Sequence, residues 1–399
     1  MKDARNMIND TAIPEKRRGI AVMMAIVVVF AIFAYFWRLG SFAVTDTDEA
    51  THAMVTRSIV EDGNILTLQL LGKDYFRKPP LAFWLRAGAM MVFGQTEFAL
   101  RFFSAVAGVG TALVITLWAW QFTRRKPAAL LAGLLFPLFP ITHIHTFRHG
   151  DTDGVLIFLL TLSAYFLWRS LQRPSHLYWA AVVLGLATMT KSAAMLVLPA
   201  AFVATLIVTR SWPYRLKHIL VALGLFVVVT APWHIYEVAR NGGGFVQDYL
   251  GYHIVDRTIS PITASSHDRG PLWYLKAGEK GMYPWSWLVI PAAALALTRF
   301  RRKREETQTQ TFLLVWSFGT VLLYSLAVTK LDWYIAAAYP AFALLIAQYV
   351  AALLSSTQPP WLHWLSLLTL AGLFLRALQL FHGGVLTAFP FAHAGWRLA

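Results

Sequence analysis

A chain of 399 residues that is 57% apolar, with a mean hydropathy of +0.53 and 16 tryptophans, lies far outside the range of soluble globular domains, so the sequence is that of a polytopic membrane protein. Only 14% of its residues are charged, yet the net charge is +15; this assigns the basic excess to loops and excludes a nucleic-acid-binding domain, for which no soluble basic unit is present. With no cysteine, disulfides and thiolate metal sites are excluded as well.

Residues 1–18 read as a polar cytoplasmic tail ending in Lys16, Arg17 and Arg18, directly before an apolar run over 19–37. That run is too long for a signal-peptide core and has no small-residue cleavage site after it, which predicts an uncleaved first span. A long loop, 38–98, follows. Within it Asp46 and Glu49 have the spacing of a capping box, and Gly63 is a stop, so a short helix is predicted along the membrane surface. Pro79-Pro80 predicts the first turn of a second such helix.

Further apolar runs cover 99–122, 127–144, 154–168, 177–190, 192–208, 218–236, 285–297, 312–328, 333–354 and 361–381. The fold class is therefore all-α and polytopic, with about eleven spans. Residues 19–354 form the transmembrane domain, and 355–399 a last span and short tail. Arg124 to Lys126, Arg169, Arg173, Arg210, Arg215, Lys217 and the run from Arg299 to Arg304 fall on the side of the N-terminus, which the positive-inside rule makes cytoplasmic. The loops 38–98 and 237–284 then lie outside. Two acidic triplets lie there too, Asp46-Thr47-Asp48 and Asp151-Thr152-Asp153.

A carboxylate beside hydrocarbon is costly, which makes these triplets candidates for function rather than decoration. The plain alternative is helix capping, and Asp46 is the better cap, leaving Asp48 free. Lys78, Lys191, Lys330 and Arg257 all fall on the side that should be poor in cations. Singly each is an interfacial or solvated cation; converging, they are what a phosphate group needs. His143, His145, His149 and Asp151, joined by His52, contain metal-ligand chemistry, but the spacing matches no recognised pattern, so no metal is required.

The order Asp48-Glu49-Ala50, Tyr75 to Leu81, Arg148 with Asp153, and Thr190-Lys191 resembles the membrane glycosyltransferases of the protein-mannosyltransferase superfamily. Pro232-Trp233, His253 to Arg257, Pro271 to Tyr274, Pro284-Trp285, Lys330-Leu331, Tyr334 and Pro340 continue it. Within that superfamily the chain resembles the bacterial branch that includes the lipid A aminoarabinose transferase. The resemblance implies a GT-C fold in the bacterial inner membrane, with an active site at the outer face. It implies a polyprenyl-phosphate-linked sugar as donor and a lipid, glycan or protein as acceptor. Asp48 would be the base and Asp153 the second acidic position; Lys78, Arg257 and Tyr334 would hold the donor phosphate, with Lys191 and Lys330 as further basic positions. Glu49, Arg148 and His253 would support them. Where relatives often read Asp-Glu-Ala-Arg-Tyr, this chain has Asp48-Glu49-Ala50-Thr51-His52, and Ser192 replaces a common glycine, which leaves the acceptor open.

Two other classes compete: a polyprenyl-phosphate-sugar flippase or transporter, and a lipid-phosphate binder without catalysis. A transporter should carry ionisable groups near the bilayer midplane in paired broken helices. Here they cluster at span ends and in loops.

Overall fold

The computed structural model describes residues 2–44, 46–249, 251, 269–299, 304–327 and 330–354, with 361, 364–367, 369 and 371 beyond them. The helices are α1 (Lys2–Phe36), α2 (Thr47–Asp62), α3 (Leu81–Phe93), α4 (Glu97–Thr123), α5 (Lys126–Leu135) and α6 (Asp153–Ser170). They continue with α7 (His176–Thr188), α8 (Val197–Val208), α9 (Leu216–Phe245), α10 (Trp273–Met282), α11 (Val289–Thr298), α12 (Arg304–Leu326) and α13 (Tyr339–Leu353).

Among the described residues, six helices are long and apolar enough to cross a membrane: Arg18–Phe36, Glu97–Thr123, Asp153–Ser170, Leu216–Tyr249, Arg304–Leu326 and Asp332–Leu353. Beside them, other runs counted among the expected eleven spans form shorter helices. The runs at 127–144, 177–190, 192–208 and 285–297 form shorter apolar helices, Lys126–Leu138, His176–Thr188, Val197–Val208 and Trp285–Thr298. The first of these is cut short where Pro137 removes a backbone donor; the chain passes through a 3-10 turn (Phe136–Leu138) into a turn of π-helix (Thr142–Thr146). Most of the last run, 361–381, lies outside the described residues.

The core is built around α4. Trp118 stacks on Trp316 of α12 at 6.1 Å, with Trp168 of α6 at 5.6 Å on its other flank. Small residues let helices close in: a methyl group at Gly133 of α5 would collide with Thr116 of α4 and Val27 of α1. The two ends of the bundle differ in charge. At the C-terminal end of α4, Arg125 donates to the Ala351 carbonyl (3.2 Å) and Arg169 to Gln121 (2.8 Å). At its N-terminal end stand both acidic triplets.

The first loop is ordered at that acidic end. Asp46 Oδ1 accepts from the Glu49 N–H at 2.8 Å and caps α2, while Gly63 closes the helix with a left-handed φ of 75°. Both ends are as expected. A hairpin not foreseen from the sequence follows, pairing Gln69 with Asp74 and Leu70 with Lys73. Its turn residues, Leu71 and Gly72, have φ of 53° and 75°, the twist a two-residue hairpin needs. Two indoles pin the strand's approach: Trp84 donates to the Ile65 carbonyl (2.6 Å) and Trp233 to that of Leu66 (3.0 Å).

Candidate active site

The acidic end is organised by one buried ion pair. Glu49 and Arg101 meet in a bidentate contact, Nε to Oε1 at 2.7 Å and Nη2 to Oε2 at 2.9 Å, with both side chains fully buried. The rest of the guanidinium donates to the carbonyls of Leu39 (3.2 Å), Phe42 (2.8 Å) and Ala43 (2.9 Å). Glu49 Oε1 also accepts from the Gly150 N–H at 2.7 Å. Four segments are thereby tied together: the end of α1, the start of α2, α4, and the loop before α6. The expected capping box is half right. Asp46 caps the helix, but the Glu49 carboxylate turns away to Arg101, because a bidentate charged partner outcompetes one exposed backbone N–H.

Arg148 supports the same corner, donating to the carbonyls of Ala34 (2.9 Å) and Trp37 (2.8 Å) at the end of α1. It satisfies carbonyls that the helix leaves orphaned.

Asp48 sits in the first turn of α2 with its side chain exposed, and no hydrogen bond or ion pair engages it among the described residues. Helix capping does not need it. It lies close enough to bias Lys78 and Tyr75 electrostatically. Asp153, at the start of α6, is buried and paired with Lys191 at 2.8 and 3.1 Å. The Lys191 ammonium also lies 5.2 Å from the Tyr334 ring centroid. Lys191 therefore serves Asp153 first. Lys330 is buried and donates to the Ala327 carbonyl at 2.6 Å, which gives it a backbone partner rather than a carboxylate. Arg257 and His253 lie outside the described residues.

Lys78 has no hydrogen-bond or ion-pair partner among the described residues. Burial, then the nearby Lys191, push its ammonium down to about 8, against the pull of Asp151, Asp153 and Asp48. A desolvated cation that no described carboxylate pairs with is poised to take an anion.

Between the carboxylates lies a histidine network. His52 Nδ1 is 3.3 Å from Asp151 Oδ1, which also accepts from the Thr152 N–H at 2.5 Å. Burial alone raises the Asp151 carboxyl, yet His52, Lys78 and Lys191 together hold it well below the usual carboxylate range. Burial in turn pushes His52 down to about 3, against the pull of Asp151. His145 Nε2 and His149 Nε2 each lie 3.2 Å from Asp46 Oδ2. Of the metal candidates in the sequence, two are corrected. His143 turns to the Pro137 carbonyl at 2.5 Å, because it lies two residues from His145 on a helical turn and faces another side. Asp151 is occupied by His52 and Thr152.

Three residues matter here that the sequence alone does not single out. Arg101 is hidden in an apolar run, although an ionisable residue inside a span is itself a functional signal. Asp46, expected only as a cap, also meets two imidazoles. Arg86 of α3 is 2% exposed, with both Nη atoms lacking hydrogen-bond partners among the described residues and Phe83 5.3 Å away, which adds another cation close enough to act on His52 and Asp151.

The family described as dolichyl-phosphate-mannose-protein mannosyltransferase matches residues 77–236, a stretch that holds Lys78, Arg148, Asp153 and Lys191. An undecaprenyl phosphate-alpha-4-amino-4-deoxy-L-arabinose arabinosyl transferase from Aeromonas salmonicida is 28% identical over 393 residues, covering 93% of this chain and 70% of its own length. The crystal structure of ArnT from Cupriavidus metallidurans bound to undecaprenyl phosphate superposes with a TM-score of 0.71 at 20% identity, over 91% of this chain and 73% of that one. Over residues 77–236 the chain is similar to the protein-mannosyltransferase superfamily. It is a multi-pass membrane protein of GT-C fold, similar to the aminoarabinose transferases. An uncharacterized protein of Aquifex aeolicus is also similar, 29% identical over 330 residues, or 82% of this chain and 63% of that protein. The chain thus spans 63% and 70% of the lengths of these two relatives. In this chain the motif positions that lie far apart in sequence, Asp48, Lys78, Asp153, Lys191 and Tyr334, fall around one end of the helix bundle.

Proposed function

We propose that the chain is an inverting glycosyltransferase, moving a sugar from a polyprenyl-phosphate-linked donor of the undecaprenyl type to an acceptor hydroxyl or amine. The reaction takes place at the outer face of the bacterial inner membrane, with the basic end of the bundle and the N-terminus in the cytoplasm. The observation that carries this reading is a carboxylate, Asp48, and a cation, Lys78, that no described residue engages, at the same end of the bundle as the Asp153–Lys191 pair.

The acceptor oxygen attacks the anomeric carbon while the bond from that carbon to the phosphate oxygen breaks on the opposite face. Asp48 takes the acceptor proton as general base. The leaving phosphate keeps the bonding electron pair and gains one negative charge, which Lys78, Arg257 and the Tyr334 hydroxyl stabilise. Asp153, fixed by Lys191, orients sugar hydroxyls. No covalent intermediate is needed, so no nucleophilic side chain is assigned. A lipid, glycan or protein can present the attacking group. Mass analysis of envelope glycolipids and exported glycoproteins from cells with and without the gene tests the function and names the acceptor; no difference in any sugar-bearing species would count against transfer.

Lys78 gives this reading a pH signature. Its charged form binds phosphate, and burial has lowered its pKa to about 8 in the free protein. Affinity for polyprenyl phosphate should therefore be flat below that pH and weaken as pH rises through it, by up to about tenfold per unit, until the bound-state pKa is reached. Titrations from neutral to alkaline pH should show this break in the parent chain and not in Lys78→Ala. A parent profile without the break would remove Lys78 from the phosphate site.

A further inference from the structure

We propose that Asp46, His145 and His149 form a binding site for a divalent transition-metal ion of the zinc type. Asp46 Oδ2 lies 3.2 Å from His145 Nε2 and 3.2 Å from His149 Nε2, and the three ligand atoms lie within 4.8 Å of one another. A tetrahedral ion with bonds of about 2.0–2.1 Å to nitrogen and oxygen keeps its ligand atoms about 3.3 Å apart. The side chains need move only slightly to accept one. His145, in the π-turn, and His149, in the bend that follows it, bring their rings together, with centroids 4.6 Å apart.

Asp46 is also held from behind, as metal ligands are, and the two imidazoles pack against named neighbours. The other Asp46 oxygen, Oδ1, accepts from the Glu49 N–H at 2.8 Å, so the helix cap aims Oδ2 at the imidazoles. The His145 ring stacks on Trp333 at 3.6 Å and 12°, and its Nδ1 lies 4.0 Å from Asp151 Oδ2. His149 Nε2 is 3.7 Å from Glu49 Oε2, itself anchored by Arg101. Two imidazoles with one carboxylate suit zinc and its neighbours and are poor ligands for magnesium or calcium. Three protein ligands leave a fourth position for water or a substrate oxygen.

Such an ion joins the two acidic triplets. It fastens the start of α2, two residues before Asp48, to the segment that leads into Asp153. The site does not depend on the transfer reaction, because an ion can bind with no donor or acceptor present.

The test uses the untagged full chain in detergent, stripped with chelator, titrated with Co2+ and followed by the visible d–d absorption of the tetrahedral ion. One Co2+ per chain, displaced by Zn2+, is expected. His145→Ala and His149→Ala should each lose affinity by at least about 100-fold, since even loss of an outer partner costs 10–100-fold. His143→Ala, whose imidazole is bonded to the Pro137 carbonyl, should bind as the parent does. His149→Gln, checked for the parent's size-exclusion profile, guards against loss of fold. A monodisperse parent that takes up no Co2+, or equal binding in both His→Ala variants, overturns the proposal; the imidazoles then serve only as hydrogen-bond donors to Asp46.

Discussion

Replacing Asp48 by asparagine is expected to abolish sugar transfer almost completely, with a fall in turnover of about 100- to 10,000-fold, the usual weight of a general base. Donor affinity should stay within about threefold of the parent, because Asp48 carries no phosphate contact in the proposed site. The fold should survive. The side chain is exposed, α2 is capped by Asp46, and no described residue bonds to Asp48. The amide keeps the volume of the carboxylate and removes its capacity to accept a full proton. Turnover and donor binding measured separately decide the matter, since a merely structural aspartate would change both or neither. Unreduced transfer by this variant would sink the assignment of the base.

Breaking the Glu49–Arg101 pair should have the largest effect on stability of any single substitution at this end. Arg101→Met removes the bidentate partner of the buried Glu49 carboxylate and strips donors from three carbonyls of the 39–43 segment. Removal of one partner of a buried pair costs about 3–5 kcal/mol. In a membrane protein this should appear as a large drop in the melting temperature in detergent and a loss of monodisperse material. The paired substitution, Glu49→Met with Arg101→Met, should recover a large part of that loss, because an apolar pair leaves no orphaned charge. Thermal unfolding of the parent and both variants separates the cases; a single Arg101→Met within about 1 kcal/mol of the parent would show that the pair holds nothing together.

Local chemistry made some of this architecture legible. Helix α2 could be bounded at both ends because a capping aspartate and a stop glycine act through neighbouring backbone groups. The destination of Glu49 could not, since its partner is 52 residues away and only the packed bundle brings them together. Apolar composition located the helical segments but not their lengths, because hydropathy does not register where Pro137 breaks a helix. The hairpin at 69–74 was missed since Leu71, a residue that rarely takes a positive φ, occupies its turn. At the site, motif order marked Asp48, Lys78, Asp153 and Lys191. Pairing is another matter: that Lys191 is committed to Asp153, that His143 faces away, and that Asp46 joins two histidines are facts of three-dimensional contact.

The most direct measurement reconstitutes the purified chain in nanodiscs with a synthetic undecaprenyl-phosphate-linked sugar, carrying carbon-13 at the anomeric position, and with the acceptor fraction of the envelope. The label should leave phosphate and reappear on an acceptor with inverted anomeric configuration, and undecaprenyl phosphate should accumulate in equal amount. Label that remains on phosphate with the parent chain, while donor binds or crosses the bilayer, would contradict transfer and make the protein a carrier or a lipid-phosphate binder.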